Sequence, residues 1–152
     1  MLRRSLWAIR EELKDSDFEP AGFEISFDSQ SFLDSMCLQL SETGRMYLRG
    51  KIDRMDLYRD SGQVLVRIVD CKSGNTSFSL EDFYYGLQLQ LILYMKAALE
   101  IEKGHHPDKK TSPAAMLYYQ MQDPLIEAGE NDPAEDLRLK TLRMNGLVSS
   151  DE

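Results

Sequence analysis

Asp53, Asp70 and Lys72 are the residues whose types and spacing could do chemistry. Two carboxylates offer the hard oxygen ligands that suit Mg²⁺ or Mn²⁺. A metal held there polarises a phosphodiester and lowers the pKa of a bound water, and an adjacent ammonium can orient that water or stabilise the charge that grows on the phosphate. Asp70 and Lys72 are two residues apart, so an extended backbone turns both to one face. By itself a D-x-K on a strand is commonplace and reads as a surface salt bridge. The elements around it must bring Asp53 to the same spot.

Those elements read as a β-hairpin. Gly50-Lys51-Ile52-Asp53-Arg54-Met55-Asp56 leads through Asp60-Ser61-Gly62 into Val64–Val69, which ends in Asp70-Cys71-Lys72-Ser73-Gly74. A turn midway between Asp53 and Asp70 sets the two carboxylates on neighbouring antiparallel strands. Asp56 falls on the opposite strand face from Asp53 and is assigned a structural or substrate-facing role. Val64–Val69 is apolar on both faces except at Arg67, the pattern of a central strand covered on both sides. Gln90 and Tyr94, four apart on a following helix, share a face and reach one point. A Gln in an otherwise apolar stripe needs a hydrogen-bond partner; Gln at the stripe edge with Tyr in the core fits the spacing equally.

The rest of the chain supplies an α/β frame. Arg3 to Lys14 has helical spacing, with Leu2, Leu6, Ile9 and Leu13 along one face. Pro20 and Gly22 break the pattern, and Phe23–Phe27 alternates as a short strand in which Glu24 reads as solvent-exposed. Met36–Leu40 and Arg45–Arg49 form a hairpin around Glu42-Thr43-Gly44. Ser79 precedes a helix from Leu80 to Ile101, with Asp82 in a variant capping box, a buried stripe of Phe83, Leu87, Leu91, Tyr94 and Ala98, and a stop at Lys103-Gly104. His105, His106 and Pro107 fall in the next loop as solvated residues, and Ala114–Met121 is the last strand. From Pro124 the chain reads as irregular and acidic, with a short helix around Asp136–Arg143. The expected architecture is a mixed sheet flanked by helices, one domain over residues 1–148 followed by an acidic tail, 149–152.

Composition narrows the function less than it narrows the class. A chain of 152 residues with 42% hydrophobic and 29% charged content is that of an ordinary globular domain. No apolar run approaches a membrane span or a signal-peptide core. Cys37 and Cys71 lack C-x-x-C spacing and read as reduced thiols of a cytosolic protein. The net charge of −8 opposes autonomous binding of nucleic acid, which usually draws on basic excess. Part of that acidity is local, in Glu127–Asp136 and Asp151-Glu152, whereas Arg45, Arg49, Lys51, Arg54, Arg67 and Lys72 cluster in sequence around the site. GxxxxGK[ST] is absent, so ATP hydrolysis is not expected. Trp7 and the tyrosines are expected in the core rather than as base-stacking platforms.

In combination, GKIDRMDLY, VDCKSG and YYGLQLQLILYMKAAL resemble the PD-(D/E)xK nuclease domain of the RecB type. More narrowly, the chain resembles the C-terminal nuclease domain of AddB, the B subunit of bacterial ATP-dependent helicase–nucleases. FEPAGFEISF upstream and PAAMLYYQMQDPLI and LRMNGLV downstream extend the likeness from about Trp7 to Val148. The resemblance implies a restriction-endonuclease-like fold and Mg²⁺- or Mn²⁺-dependent hydrolysis of a DNA strand in double-strand break processing. It implies that Asp53, Asp70 and the Cys71 backbone carbonyl are metal ligands, with Glu24 as the upstream acidic residue. It implies that Lys72 is the catalytic lysine, that Gln90 and Tyr94 support the site and contact DNA, and that Arg54 contacts DNA. The implied partners are DNA and an AddA-like A subunit, in the bacterial cytoplasm and on the nucleoid when bound to DNA. The family's iron–sulfur cluster is not expected, since Cys37 and Cys71 do not match its cysteines and the helicase portion is missing; an excised fragment or truncated homologue is the expectation. Cys71 stands where the family more often has an aromatic. A non-catalytic DNA-docking or structural module of a repair complex is the alternative; a stand-alone, dimeric nuclease of the superfamily is a third.

Overall fold

The computed structural model describes residues 2–27, 37–39, 41–74, 78–121 and 134–150. In chain order the elements are α1 (Leu2–Lys14), β1 (Glu19–Phe27), β2 (Cys37–Gln39), β3 (Arg45–Tyr47), β4 (Gly50–Arg59), β5 (Gln63–Lys72), α2 (Leu80–Tyr84), α3 (Leu89–His105), β6 (Lys110–Gln120), α4 (Ala134–Thr141) and β7 (Asn145–Val148). Five strands make one mixed sheet, ordered β1-β4-β5-β6-β7, while β2 and β3 pair separately as a small hairpin. Only β5 and β6 run parallel, which requires a crossover, and α2 and α3 supply it. The sheet is therefore the mixed, helix-flanked α/β architecture expected.

The hairpin that carries both aspartates closes on an Asx turn. Asp60 Oδ1 accepts from the Gly62 N–H at 2.7 Å and the Gln63 N–H at 2.9 Å. From there the antiparallel register runs from Arg59 opposite Val64 to Arg54 opposite Val69. One step further, the same register sets Asp53 opposite Asp70.

β5 is the middle strand, and its two faces enter different cores. Val66 and Ile68 join Met55, Leu57, Leu91, Met95 and Ala98 beneath α3. Val69 joins Ala115, Leu117 and Tyr119 on the other side, where Ile9 of α1 packs against them. The Tyr119 hydroxyl donates to the Ser5 carbonyl at 3.1 Å and fastens α1 to the sheet. α1 turns Ser5 and Ala8 inward and leaves Leu6 59% exposed, so its buried face is rotated from the Leu2/Leu6/Ile9/Leu13 stripe expected.

Three boundaries differ from the sequence reading. β1 begins at Glu19 and runs through Pro20 and Gly22, because an irregularity in its pairing with β4 between those residues absorbs them. β6 likewise starts at Lys110, with Pro113 accommodated beside a register shift at Val66/Arg67. The expected helix from Leu80 to Ile101 is two helices. Gly86 adopts a φ of +75°, a left-handed conformation that an α-helix cannot contain. Ser79 caps α2 by accepting from the Asp82 N–H at 3.1 Å. α3 then runs past Gly104 to His105, so Leu87 lies outside both helices and is 75% exposed rather than part of a buried stripe. His105 closes α3 instead of opening a loop; its Nδ1 and His106 Nε2 lie 3.3 and 3.6 Å from the buried Glu102 carboxylate. β7 is an element the sequence reading missed. Met36, Leu40 and most of the acidic run 127–136 lie outside the described residues.

Candidate active site

Asp53, Asp70, Lys72, Gln90 and Tyr94 come together at the end of the β4–β5 ladder beneath the start of α3. Asp53 Oδ2 accepts from the Cys71 N–H at 2.8 Å, which ties the first carboxylate to the peptide that follows the second. Asp70 is 3% exposed, and its Oδ2 lies 2.7 Å from the Lys72 ammonium. Gln90 joins both: its Oε1 accepts from Lys72 Nζ at 2.9 Å, and its Nε2 donates to Asp70 Oδ1 at 3.2 Å. The same Nε2 reaches the Tyr94 hydroxyl at 2.8 Å. The spacing of four therefore serves the site: Tyr94 holds the amide, and the amide holds the carboxylate and the ammonium.

Packing positions that relay. Phe27 and Tyr94 meet edge to face with centroids 5.8 Å apart. They do so above Gly50, where a Cβ would lie 2.7 Å from Phe27 and 3.1 Å from Tyr94. The glycine that opens GKID is thus the clearance for the Tyr94 ring. Tyr118, which sequence reasoning did not select, adds a face: it pairs with Asp70 across the parallel ladder, and Lys72 Nζ sits 5.6 Å from its ring centroid. The signal for it is strand parity, which needs the β5–β6 register that no local pattern supplies.

The electrostatics of the pair are asymmetric. Burial pushes the Asp70 carboxyl above the usual carboxylate range and the Asp53 charge adds to this, while the hydrogen bond and charge of Lys72 oppose it. Burial alone would lower Lys72, but the hydrogen bond and charge of Asp70 outweigh it and raise the lysine above its ordinary value. Lys72 is therefore an ammonium at neutral pH, suited to stabilising charge rather than accepting a proton.

Several expected residues are placed elsewhere. Arg54 is 4% exposed, and its Nε and Nη2 each donate to Asp56 at 2.7 Å, on the strand face opposite Asp53. Arg67 meets the same carboxylate from β5 at 2.9 Å. A guanidinium so buried presents nothing to a phosphate, so the expected DNA contact at Arg54 is replaced by a buried ion pair, and Asp56 is a structural anchor rather than a substrate-facing one. Glu24 lies between the Phe23–Arg54 and Ile25–Ile52 pairs, level with Asp53, and is exposed. Its carboxylate is ion-paired with Lys51. Among the described residues it is the non-glycine with a positive φ, +53°, a strained conformation of the kind found near functional sites.

Among the described residues no three His, Cys, Asp or Glu side chains form a metal-binding group. Any ion here would rest on two carboxylates and main-chain oxygen. The buried Asp70 Oδ2 fits such a role: it makes no well-directed hydrogen bond and has only the Lys72 ammonium against it.

Two carboxylates and a lysine at the end of a mixed-sheet hairpin, with a Gln-Tyr helix over them, define a nuclease-type site. A family model of the PD-(D/E)XK nuclease superfamily matches residues 1–146, and the chain belongs to that superfamily. It is similar along 99% of its length to three curated proteins, each named as the B subunit of an ATP-dependent helicase/deoxyribonuclease. They come from Clostridium acetobutylicum at 39% identity, Lachnoclostridium phytofermentans at 38% and Thermoanaerobacter sp. strain X514 at 37%. The chain spans only 12–13% of the length of these relatives.

Proposed function

We propose that this chain is a metal-dependent DNA nuclease domain that hydrolyses phosphodiester bonds of a DNA strand as part of a helicase–nuclease. The observation that carries the reading is the continuous contact from Tyr94 through Gln90 to Lys72 and Asp70, with Asp53 tied in at Cys71. A surface salt bridge needs no amide from a neighbouring helix to organise it; a site that must hold an ammonium against a phosphate does.

Asp53 and Asp70 would hold Mg²⁺ or Mn²⁺, with the Cys71 carbonyl beside them; Glu24 is the weaker further ligand, since Lys51 already holds it. A bound divalent ion supplies Lewis-acid polarisation of the scissile phosphate and activation of water. Lys72, fixed by Gln90 and charged, stabilises the negative charge that grows on the non-bridging oxygens. Tyr94 and Gln90 orient it and flank the path of the DNA. The named relatives support a place beside a second, AddA-like subunit that feeds DNA into the site, and a role in cytoplasmic double-strand break processing and recombination repair. The net charge of −8, with Arg54 and Arg67 buried in ion pairs, favours DNA delivered by such a partner over DNA captured by this domain's own field. Among the described residues no helix is long and apolar enough to cross a membrane.

The test is cleavage of end-labelled linear single-stranded DNA with Mg²⁺ or Mn²⁺, native chain against Lys72→Ala. Cleavage by the native chain that the variant loses is expected. Equal cleavage by both would refute the assignment of the site. A chain that neither cleaves nor binds Mn²⁺ would favour the docking-module reading.

A further inference from the structure

The break at Gly86 leaves an apolar patch beside the site. Leu80, Tyr84, Tyr85, Leu87 and Leu89 are 66%, 83%, 69%, 75% and 49% exposed within a stretch of ten residues. Single exposed apolar residues are ordinary; a contiguous group of this size is not. The Tyr84 and Tyr85 rings stand edge to face with centroids 5.4 Å apart, above a hollow lined by Leu80, Glu81 and Phe83. The patch continues into the site, because Leu87 lines one cleft with Lys72, Gln90 and Tyr118. The expectation that the tyrosines are core therefore holds for Tyr118 and Tyr119, which are 4% and 1% exposed, and fails for this pair.

Chemistry selects the occupant. Glu81 and Asp82 border the rings and the cleft, so this surface repels phosphates while its ring faces remain available. A nucleobase is a flat, uncharged partner that stacks on tyrosine whatever its identity. Duplex DNA hides those faces within its own stack, whereas a single strand offers them. We propose that Tyr84 and Tyr85, with Leu87 beside them, form a step on which unpaired bases of a single DNA strand stack at the mouth of the Lys72–Gln90 cleft. The inference rests on the nuclease reading and names the strand state and the side chains that position it.

The test is binding without divalent metal, by fluorescence anisotropy, of a labelled oligothymidylate and of an abasic strand of equal length and charge. The native chain should prefer the oligothymidylate by about tenfold or more, since stacked bases contribute strongly and sequence-tolerantly. Tyr84→Ala/Tyr85→Ala should bind both strands at the abasic level, and Tyr84→Phe/Tyr85→Phe should keep the preference. No preference in the native chain, no binding of oligothymidylate, or a preference that survives the alanine pair would overturn the proposal. Lys72→Ala separates it from the nuclease reading: that variant should lose cleavage yet keep the base preference. Lys72-dependent cleavage without base preference would remove the step and leave the nuclease.

Discussion

Replacing Asp56 by Asn removes one charge, keeps the shape, and tests the reasoning about the far face of the sheet. The carboxylate has no exposed surface and receives Arg54 from its own strand and Arg67 from the next, with Nη2 of Arg67 at 2.8 Å. Arg67 also reaches Glu12 on α1 at 3.2 Å, so one buried acid ties β4, β5 and α1 together. Taking away one member strands two guanidinium groups out of water, and breaking a buried pair in this way costs about 3–5 kcal/mol. Against a typical total stability of about 5–15 kcal/mol this is large. At roughly 2–4 °C per kcal/mol for a chain of this size, Tm should fall by about 6–20 °C. Thermal unfolding followed by circular dichroism measures it. Arg54 Nη1 and Glu12 Oε2 lack partners, so the network is imperfectly satisfied. The combined Asp56→Leu, Arg54→Met, Arg67→Met chain should therefore melt close to the native one. A single Asp56→Asn variant within about 2 °C of native would refute the assignment of Asp56 as the buried anchor, since a lost buried pair cannot be that cheap.

Gln90→Leu should lower cleavage by about 10- to 100-fold, the weight of a hydrogen bond to a charged group, and Tyr94→Phe by less, because it removes a neutral bond; steady-state rates that reverse this order would refute the relay. Gly50→Ala should destabilise by about 1–3 kcal/mol by overpacking and should cut cleavage as well, since the added methyl displaces Tyr94; an unchanged melt would contradict the clearance argument. Asp60 is held below its ordinary value of 3.8 by the Gly62 and Gln63 N–H groups. It therefore stabilises the fold above pH 3.8, and this is lost as pH falls through its lower folded-state value. The Tm gap between native and Asp60→Ala should be steady near neutrality and narrow in acid; a gap that widened there would reverse the sign.

The chemistry was legible in the sequence where it depended on parity and short range. Asp70 and Lys72 two apart, a turn centred on Gly62, and Gln90 and Tyr94 four apart are constraints of one strand, one hairpin and one helix face. What failed depended on partners distant in sequence. Arg54 sits one residue from Asp53, and proximity in sequence suggested proximity to DNA. Strand alternation turned it to the far face, where Asp56 and Arg67 enclose it. Tyr118 needed the parallel register to be found. Gly86 stood in the middle of an apolar 3.6-residue pattern, and periodicity outvoted the one residue whose φ decides the matter. The same oversight hid Tyr84 and Tyr85, since a continuous helix would have turned part of that stretch inward.

The charge distribution links the buried network to the site. β4 commits Arg54 to Asp56, and β5 commits Arg67 there as well. At the candidate centre this leaves Asp53, Asp70 and Glu24 facing Lys51 and Lys72, three carboxylates to two ammonium groups. Without a cation that arrangement carries one negative charge and repels a phosphate. A single divalent ion at the two aspartates would turn it positive, so metal would gate phosphate approach as well as hydrolysis. The step at Tyr84 and Tyr85 is indifferent to that sign, since stacking on an uncharged ring needs no cation. A domain with a net charge of −8 can thus keep hold of the bases of a strand while admitting its phosphate only to a metal-loaded centre.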